Sequence, residues 1–449
     1  MHAMIRTTLA ACLLLAAAAR AQDLVPAAPP QTKPVWILNA TIHTMAGRTI
    51  ESGTLRFENG VITHVAEGQI PMDRRAADVI DARGLHVYPG LIHADAQIGL
   101  IEIAAVDVTR DMDELGDFSP EVRAITALNP DTTLIPVTRS NGVLLAMTSP
   151  DGGRMPGQPA VIRMDGWTNE DLAVVASAGQ IVNWPFPRPV ERWWMDEDEE
   201  EQEERIAEDV AAIDRLWRRA EAYRGQRAAE RESPADLRLE AMLACLPPEE
   251  GSGTEQRPVF LRASEMQQIA EAVAWAVGRG LRPIVVGGQS ADLVAELLIE
   301  HDVPVIVGGT HRFPRRSDSA YDEAFALPAR LEAAGVRWCL AGAERDGNER
   351  NLAYEAAMAA AHGLDPEAAL EAVTVRAAEI LGIADRYGSL EDGKSATLIV
   401  TDGNPLEITT NVLHAFIDGR RVVLDDKQKA LERKYREKYE QLGDLEEES

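Results

Sequence analysis

The feature that most constrains the fold is a regular alternation of short apolar segments and helical segments through the middle of the chain. Pro283–Val286 and Val303–Val307 are uninterrupted apolar runs, which are typical of parallel strands buried on both faces. Between them lies a segment with apolar residues at helical spacing, and we expect Ser290 to cap this helix. Repeated strand–helix units over about 300 residues predict a (β/α)8 TIM-like barrel. A doubly wound open sheet is the alternative that periodicity alone leaves open.

Two further helix starts are predicted from capping patterns. Ser264 and Gln267 have the spacing of a capping box ahead of an apolar helical face. Asp365 followed by Pro366 fits a helix with aspartate as its cap and proline at its first position. Both helices fall within the proposed strand–helix repeats, as a barrel requires.

Both ends of the chain show a different pattern, with short strands and tight turns. Val35–Asn39 reads as a strand, and the Asn59-Gly60 pair predicts a hairpin turn between two further strands. The C-terminal part has three similar segments, which are Ala396–Val400, His414–Ile417 and Arg421–Leu424. We therefore expect one small β-sandwich built from both ends of the chain.

These patterns predict how the chain is divided. Residues 34–86 and 388–425 form the composite sandwich, residues 87–387 form the barrel, and residues 426–449 form a charged C-terminal helix. The run Asp196–Glu204 holds eight acidic residues in nine. We interpret it as the solvated start of a helix, since negative charge suits the positive end of the helix dipole.

The first 21 residues have the features of a secretory signal peptide. Arg6 supplies a positive charge, Leu9–Ala19 is an apolar run too short to span a bilayer, and Ala19-Arg20-Ala21 fits a cleavage site. A lipoprotein cleavage box ending at Cys12 and a buried N-terminal helix are the alternatives. We expect export to the periplasm. Cys245 and Cys339 would then remain, as two unpaired buried thiols.

The charge of the chain restricts its partners. With 45 Lys and Arg against 73 Asp and Glu, the formal net charge is −28. Such a balance argues against nucleic acid, which needs a basic face, and against adhesion to anionic lipid. No segment after the leader is long and apolar enough to cross a membrane. We expect a small-molecule substrate or ligand as the partner, and the sequence does not predict the oligomeric state.

Several short segments, spread in order over most of the chain, carry a family pattern. They are Leu38–Ile42, Asn59–Ile62, Val87–Ile92, Gly388–Lys394, Asp402–Leu406 and Phe416–Gly419. Through them the chain resembles the amidohydrolase superfamily, in particular the imidazolonepropionase-like group. The resemblance implies a metal-dependent hydrolase acting mostly on C–N bonds of amides and cyclic amides. It also implies two metal-binding His on strand one, one His each near strands five and six, and an Asp after strand eight.

This sequence departs from the family pattern at those ligand positions. Asp95 and Gln97 stand where strand one should carry its two His, Arg262 stands at the strand-five position, and Gln289 at strand six. After strand eight, the nearest carboxylates are Glu344 or Asp346. Zinc prefers imidazole, thiolate and carboxylate, whereas a guanidinium is permanently charged and cannot bind a metal. We therefore predict no metal and no other cofactor.

The loops that follow the strands should build the pocket, whatever its chemistry. The loop after strand seven contains His311, which is placed to act as a general acid or base together with Asp95. An alternative is that His311 and its arginine neighbour only pair with local carboxylates. His93 reads as a polar residue satisfied by a neighbouring strand. We predict that four residues bind the substrate, namely Arg262, Gln289, Arg312 and Asp322.

Two functional hypotheses follow from the resemblance and from the departures. The first is an exported amidohydrolase-like hydrolase of amide or cyclic amide C–N bonds, with its usual metal ligands replaced. The second is a catalytically inactive, metal-free barrel that binds a small anionic ligand. The resemblance supports the first hypothesis, and the missing ligands support the second.

Overall fold

The computed structural model describes residues 25–68, 75–190, 197–229, 234–249, 251, 253–342 and 347–443. The predicted signal peptide and the carboxylates Glu344 and Asp346 lie outside the described residues. Within them, the chain is an α/β protein whose strands form three sheets. Export and the predicted domain boundaries stay predictions.

The largest sheet is built from both ends of the chain. Strand β15, Leu398–Thr401, pairs antiparallel with strand β5, His86–Pro89, and places Ile399 opposite Tyr88, so the two ends are joined directly. The strands of this sheet are β1 Val35–His43, β2 Thr49–Glu58, β3 Val61–Glu67, β4 Asp78–Asp81, β5 His86–Pro89, β15 Leu398–Thr401, β16 Val412–Ile417 and β17 Arg420–Arg421. The predicted pairing of strand-rich ends is therefore present in the structure.

The hairpin predicted at Asn59-Gly60 is confirmed. Strands β2 and β3 are antiparallel, and Glu58 lies opposite Val61 across the turn. Asn59 and Gly60 have φ angles of 52° and 81°, as a type I′ turn requires. A side chain at position 60 would also meet the backbone oxygen of Asp418 at 2.9 Å, so glycine is needed there twice over.

Two smaller sheets come from the middle of the chain. One is parallel throughout and contains β10 Gln180–Asn183, β11 Val259–Ala263, β12 Pro283–Gly287, β13 Val305–Val307 and β14 Trp338–Leu340. The other contains β6 Leu91–Ala96, β7 Val143–Thr148, β8 Ala160–Arg163 and β9 Ala173–Val175.

Strands β8 and β9 interrupt the parallel order that repeated strand–helix units predict. β6 and β7 are parallel, but β8 runs antiparallel to both β7 and β9. The cause is the connection after β7, which holds no helix. A parallel crossover needs about a dozen residues and usually a helix, so this shorter connection returns the chain in the opposite direction.

Helices connect the strands and cover the sheets. They are α1 Ala124–Ala127, α2 Leu134–Ser140, α3 Asn169–Leu172, α4 Glu199–Ala229, α5 Leu237–Met242, α6 Met266–Gly278, α7 Ala295–Glu300, α8 Glu323–Ala334, α9 Leu352–Ala361, α10 Pro366–Ala372, α11 Val375–Ile380 and α12 Lys427–Leu442. In the described part of the chain, no helix combines the length and apolar character needed to cross a bilayer. The C-terminal helix α12 buries none of its residues, as its charged sequence predicts.

The predicted helix starts differ in accuracy. Asp365 caps α10 as expected, accepting backbone hydrogen bonds through its carboxylate. The capping box predicted for α6 is wrong by one residue. Glu265 and Gln268 form it, instead of Ser264 and Gln267. The Ser290 cap is also wrong. A short 3-10 turn over Ala291–Val294 precedes α7, and the Ser290 side chain makes no capping bond.

Cys245 and Cys339 are buried and free, as expected. Burial raises the pKa of the Cys245 thiol to about 12 and also raises the pKa of Cys339. Since the thiolate is the reactive form, neither residue is suited to act as a nucleophile.

Candidate functional site

Asp95 lies on β6, one residue before its carboxyl end, and its side chain is buried. Ser149, just beyond the end of β7, donates a hydrogen bond from its hydroxyl to Oδ1 of Asp95. Arg262 Nη2 lies 3.4 Å from the same carboxylate oxygen. A hydroxyl and a cation therefore hold Asp95 in place at one oxygen.

Arg262 is the centre of this cluster. It lies on β11, and its side chain is only 12% exposed. Nη1 donates to the backbone oxygen of Pro150 at 2.9 Å and to Asp151 at 3.1 Å. Nη2 donates to the Ser149 hydroxyl at 3.1 Å. The guanidinium thus ties β6, β7 and β11 together near their carboxyl ends.

Gln97 joins the same cluster through Asp151. Its amide nitrogen lies 3.4 Å from the Asp151 carboxylate, which also accepts the backbone N–H of Gly152 at 2.9 Å. Gln97 is buried. Three of the positions at which the sequence departs from the family pattern, those of Asp95, Gln97 and Arg262, therefore belong to one hydrogen-bonded network.

A cavity of about 320 Å³ opens beside this network. Asp95, Arg262 and Gln289 line it together with Ser264 and Gln268. The remaining wall is apolar or formed by glycine, with Val286, Gly287, Ile306, Gly308, Ala263, Ala341 and Gly342. The carboxyl ends of β6, β11, β12, β13 and β14 therefore meet at one cavity, where three of the sequence-predicted residues lie together.

A larger cavity of about 690 Å³ lies elsewhere, against the sheet formed by the two ends. Its lining includes Pro29, Gln31, Asp78, Phe416 and Arg421. Asp78 and Arg421 are its charged members, and neither belongs to the network around Arg262. We therefore place the candidate site at the smaller cavity, where buried charged groups converge.

His93 is fully buried on β6. Its Nε2 accepts a hydrogen bond from the backbone N–H of Gly342 at 3.1 Å, two residues after β14. This is the arrangement expected of a polar residue satisfied by a neighbouring strand, and it joins the first and last strands of the middle region.

His311 lies apart from the residues that line the cavity. Its Nδ1 is 3.5 Å from the Glu355 carboxylate, and its backbone N–H donates to Glu355 at 2.8 Å. Thr310 also donates to Glu355, from its backbone N–H and its hydroxyl. These contacts match the alternative in which His311 pairs with a local carboxylate. The pairing of His311 with Asp95 for proton transfer stays a prediction.

Arg312 and Asp322 are also absent from the cavity lining. All three guanidinium nitrogens of Arg312 are buried and lack a hydrogen-bond partner among the described residues. Burial lowers the pKa of Arg312, Glu323 opposes this shift, and two neighbouring arginines add to it. Asp322 precedes α8, and its backbone oxygen accepts the N–H of Ala326.

The sequence analysis did not identify two polar residues of this region. Ser149 contacts Asp95 although 54 residues separate them, and Glu355 contacts Thr310 across 45 residues. Ser149 follows an apolar strand directly, and that position at a strand end is the signal that could have identified it. Glu355 lies in an alanine-rich helix, where a buried carboxylate has no sequence signature.

The described residues contain no group of three or more His, Cys, Asp or Glu side chains able to hold a metal ion together. Glu344 and Asp346, the carboxylates expected after strand eight, fall in the range 343–346, which is not described. Of the described ligand positions, only Asp95 carries a side chain that binds metals readily.

Known proteins share sequence and fold with this chain. Residues 282–422 match the model of the amidohydrolase family. Amidohydrolase tasK of Hapsidospora irregularis is 24% identical, over 86% of this chain and 43% of its own length. The chain thus spans less than half of that curated relative.

Solved structures extend the likeness to the fold. The amidohydrolase from Thermotoga maritima MSB8 has a TM-score of 0.75 and 23% identity, covering 87% of this chain and 99% of its own. A molinate hydrolase has a TM-score of 0.53 and 16% identity, covering 87% of this chain and 95% of its own. The resemblance to the amidohydrolase family predicted from the sequence is confirmed by the match over residues 282–422, and the solved structures show that the likeness includes the fold.

Proposed function

We propose that the two middle sheets form one closed (β/α)8-type barrel with the cavity at its C-terminal mouth. Hydrogen bonds between them support closure on both sides. Gly342 after β14 bonds to His93 on β6, and Ile181 on β10 bonds to the backbone oxygen of Gly157, just before β8. The fold likeness to the Thermotoga maritima amidohydrolase supports the same arrangement. The composite sandwich would then flank the barrel, with the boundaries expected from the sequence.

The residues of the cavity and of the hydrogen-bonded network beside it do not fit the metal centre that the family implies. Gln97 and Gln289 offer amide groups, which are weak ligands for transition metals, and Arg262 offers no lone pair. Arg262 also places its positive charge 3.4 Å from Asp95, the carboxylate that a metal would need. A cation entering there would be repelled by the guanidinium, so neither candidate function involves a metal.

We infer that the chain binds a small polar molecule with an amide or carboxylate group in this cavity. The observation that carries this proposal is the convergence of Asp95, Arg262 and Gln289 on one cavity of about 320 Å³. That volume suits a small ligand. The Gln289 amide offers one donor group and one acceptor, which together match a ligand amide. Arg262 is held by Asp151 and Ser149, so it is preorganised for contact with the ligand.

Hydrolysis of an amide C–N bond is the second candidate function. The match to the amidohydrolase family over residues 282–422 favours it. In this reaction Asp95 would take a proton from water, and Arg262 would stabilise the negative charge that develops on the amide oxygen. His311 is the proposed proton donor to the leaving nitrogen. The leader sequence supports a periplasmic location for either function.

Calorimetric titration with the neutral probe N-acetylglycinamide tests the binding proposal. Replacing Gln289 with Leu should weaken binding about tenfold, the loss expected when a buried amide partner is removed. Gln267→Leu is the matched control, since Gln267 is exposed on α6 and bonds to Glu271. Equal affinities for wild type and Gln289→Leu would show that the ligand does not bind in this cavity.

The same samples decide between binding and hydrolysis. Release of ammonia or acetate from the probe, abolished by Asp95→Asn, would establish the hydrolase. Turnover that persists in a variant carrying both Asp95→Asn and His311→Ala would remove the proposed pair from the mechanism. Binding without turnover would establish the binding function alone.

A further inference from the structure

The hydroxyl of Ser264 is a polar group in the wall of the cavity. Ser264 directly follows β11, is half-buried and lines the cavity. Its backbone N–H donates to the Gln268 side chain at 2.8 Å, and its backbone oxygen accepts the N–H of Ser290 at 2.9 Å. Within the described part of the chain, no protein group bonds to the hydroxyl. The backbone of Ser264 is therefore fixed, while its hydroxyl is available to a ligand.

Gln289 lies beside Ser264 on the neighbouring strand end. The N–H of Gly288 donates to the backbone oxygen of Ala263, and the N–H of Ser290 donates to that of Ser264. These two bonds continue the pairing of β11 with β12 beyond both strands, so they place Gln289 next to Ser264. Gln289 is also half-buried and lines the cavity, and its side-chain amide makes no hydrogen bond within the described residues.

Gly287 leaves room for the Ser264 hydroxyl. It is the last residue of β12, has a φ of 98° and lines the cavity. A Cβ atom at this position would lie 2.8 Å from the hydroxyl oxygen of Ser264, which is too close for two such atoms. Only glycine combines this backbone conformation with the space that the hydroxyl occupies. A larger residue at position 287 would therefore displace the hydroxyl.

The charged groups beside the cavity favour an uncharged ligand group. Arg262 lies 3.4 Å from Asp95 and 3.1 Å from Asp151, so two carboxylates surround one guanidinium. Like charges that are brought together repel each other, and the repulsion is stronger where water is excluded. A carboxylate on the ligand would meet this excess of negative charge, whereas an uncharged amide would not.

We propose that Ser264 and Gln289 bind an uncharged amide group of the ligand, and that the site thereby selects amides over carboxylates. A hydroxyl and a side-chain amide each offer a donor and an acceptor, which match the N–H and the carbonyl of an amide. An ionised carboxylate offers acceptors only, so it would leave acceptors of the cavity without a donor. The inference rests on the proposed function, because the ligand must bind in this cavity, and it names the group that the cavity recognises.

Titration of the protein with two probes tests this inference. Butanamide has an uncharged amide as its sole polar group, and butanoate is its carboxylate counterpart of the same size. Wild type should bind butanamide about tenfold more tightly than butanoate. Ser264→Ala should weaken the binding of butanamide about fivefold, the usual loss for one hydrogen bond between uncharged groups, and should change that of butanoate little. Ser52→Ala, at an exposed position on β2, is the control and should behave as wild type.

Gly287→Ala provides a second test of the hydroxyl. The added Cβ should displace it and weaken the binding of butanamide about as much as Ser264→Ala does. A variant with both changes should bind no more weakly than Gly287→Ala alone, because the loss of one hydroxyl accounts for both effects. Gly335→Ala is the control for backbone strain and should bind like wild type, since Gly335 has a φ of 78° and open space around it. Additive losses would contradict the proposal.

Thermal unfolding separates a binding role of Ser264 from a structural one. Its hydrogen bonds to the rest of the described protein come from its backbone, so Ser264→Ala should unfold at the same temperature as wild type. A clear loss of stability would overturn the proposal, since it would show that the hydroxyl supports the fold.

The two proposals fail in different ways. If Gln289→Leu weakens the binding of butanamide and Ser264→Ala does not, the cavity proposal stands and the role of Ser264 is wrong. If wild type binds butanoate as tightly as butanamide while Gln289→Leu still weakens N-acetylglycinamide, the cavity proposal stands and the selection of amides is wrong. If both variants bind N-acetylglycinamide and butanamide as wild type does, the cavity proposal is wrong and the inference fails with it.

Discussion

Arg262 connects residues that are far apart in the chain. Its contacts reach Asp95, Ser149, Pro150 and Asp151, at sequence separations of 167, 113, 112 and 111 residues. A single guanidinium thus holds three strand ends in register beside the cavity. Its positive charge lies 3.4 Å from Asp95, and both residues stand at positions where the sequence departs from the family pattern.

Replacing Arg262 with Met should destabilise the protein by about 3 kcal/mol, since it leaves buried carboxylates without their cation. Urea denaturation measures this change. Arg282→Met is the control, because Arg282 and its partner Glu255 are exposed, and such pairs contribute about 1 kcal/mol or less. Equal losses in the two variants would contradict the assigned role of Arg262.

His43 provides a test that depends on pH. It stacks on Tyr88 and lies 3.0 Å from His86. Burial, and then the charge of His86, lower the pKa of His43 from 6.5 to about 4. Below pH 6.5 the unfolded chain therefore takes up a proton that the folded chain refuses, and stability falls until pH reaches about 4.

We expect His43→Phe to reduce this loss of stability between pH 6.5 and 4, while leaving stability near pH 8 little changed. Denaturant unfolding at a series of pH values measures the slope. His301→Gln, at an exposed position after α7, is the control and should keep the wild-type slope. A slope unchanged by His43→Phe would show that other groups cause the acid sensitivity.

The sequence correctly predicted some of the residues that line the cavity, but it also predicted residues that do not line it. Asp95, Arg262 and Gln289 were found because a family pattern marked their positions, and the structure brings all three to one cavity. His311 and Arg312 were placed by their loop alone. A loop position does not fix which way a side chain turns, and His311 turns to Glu355. Such long-range contacts have no signal in a single sequence.

Among the helices, α4 shows how an acidic surface and a buried face coexist. Glu199, Glu200 and Glu201 occupy its first turn, where the helix dipole favours negative charge. The buried face of the helix lies further along, where Trp217 is fully buried and Ile213 packs beside it in the same core cluster. The acidic run is thus part of a solvated helix start, as predicted, for the residues of the run that the structure describes.

Trp217→Ala should therefore cost about 3–5 kcal/mol, because it leaves a large cavity against the core. Calorimetric or urea unfolding measures the change. Arg218→Ala, one residue along and with a side chain 71% exposed, should cost about 1 kcal/mol or less. Similar losses for both would mean that α4 does not pack through Trp217.

Turns and helix caps with a strong local sequence pattern were predicted correctly. The direction of strands, which depends on the connections between them, was not. The Asn59-Gly60 turn and the Asp365 cap follow from local chemistry and are present. The antiparallel strands β8 and β9 follow from a helix-free connection after β7, and apolar periodicity carries no information on strand direction.

For the whole molecule, the two ends of the chain form one sheet and the middle forms the cavity. The net charge of −28 does not describe the cavity, whose charged lining residues are Asp95 and Arg262. The acidic excess of the whole chain therefore does not extend to the lining of the cavity.

Metal analysis of the native protein, purified without chelators and offered zinc, manganese and iron, tests most directly whether Arg262 has replaced the metal centre. We expect transition-metal content far below one ion per chain, unchanged by Asp95→Asn, because Asp95 is already paired with Arg262. One transition-metal ion per chain, lost when Asp95 is replaced by Asn, would contradict the replacement of the metal by Arg262.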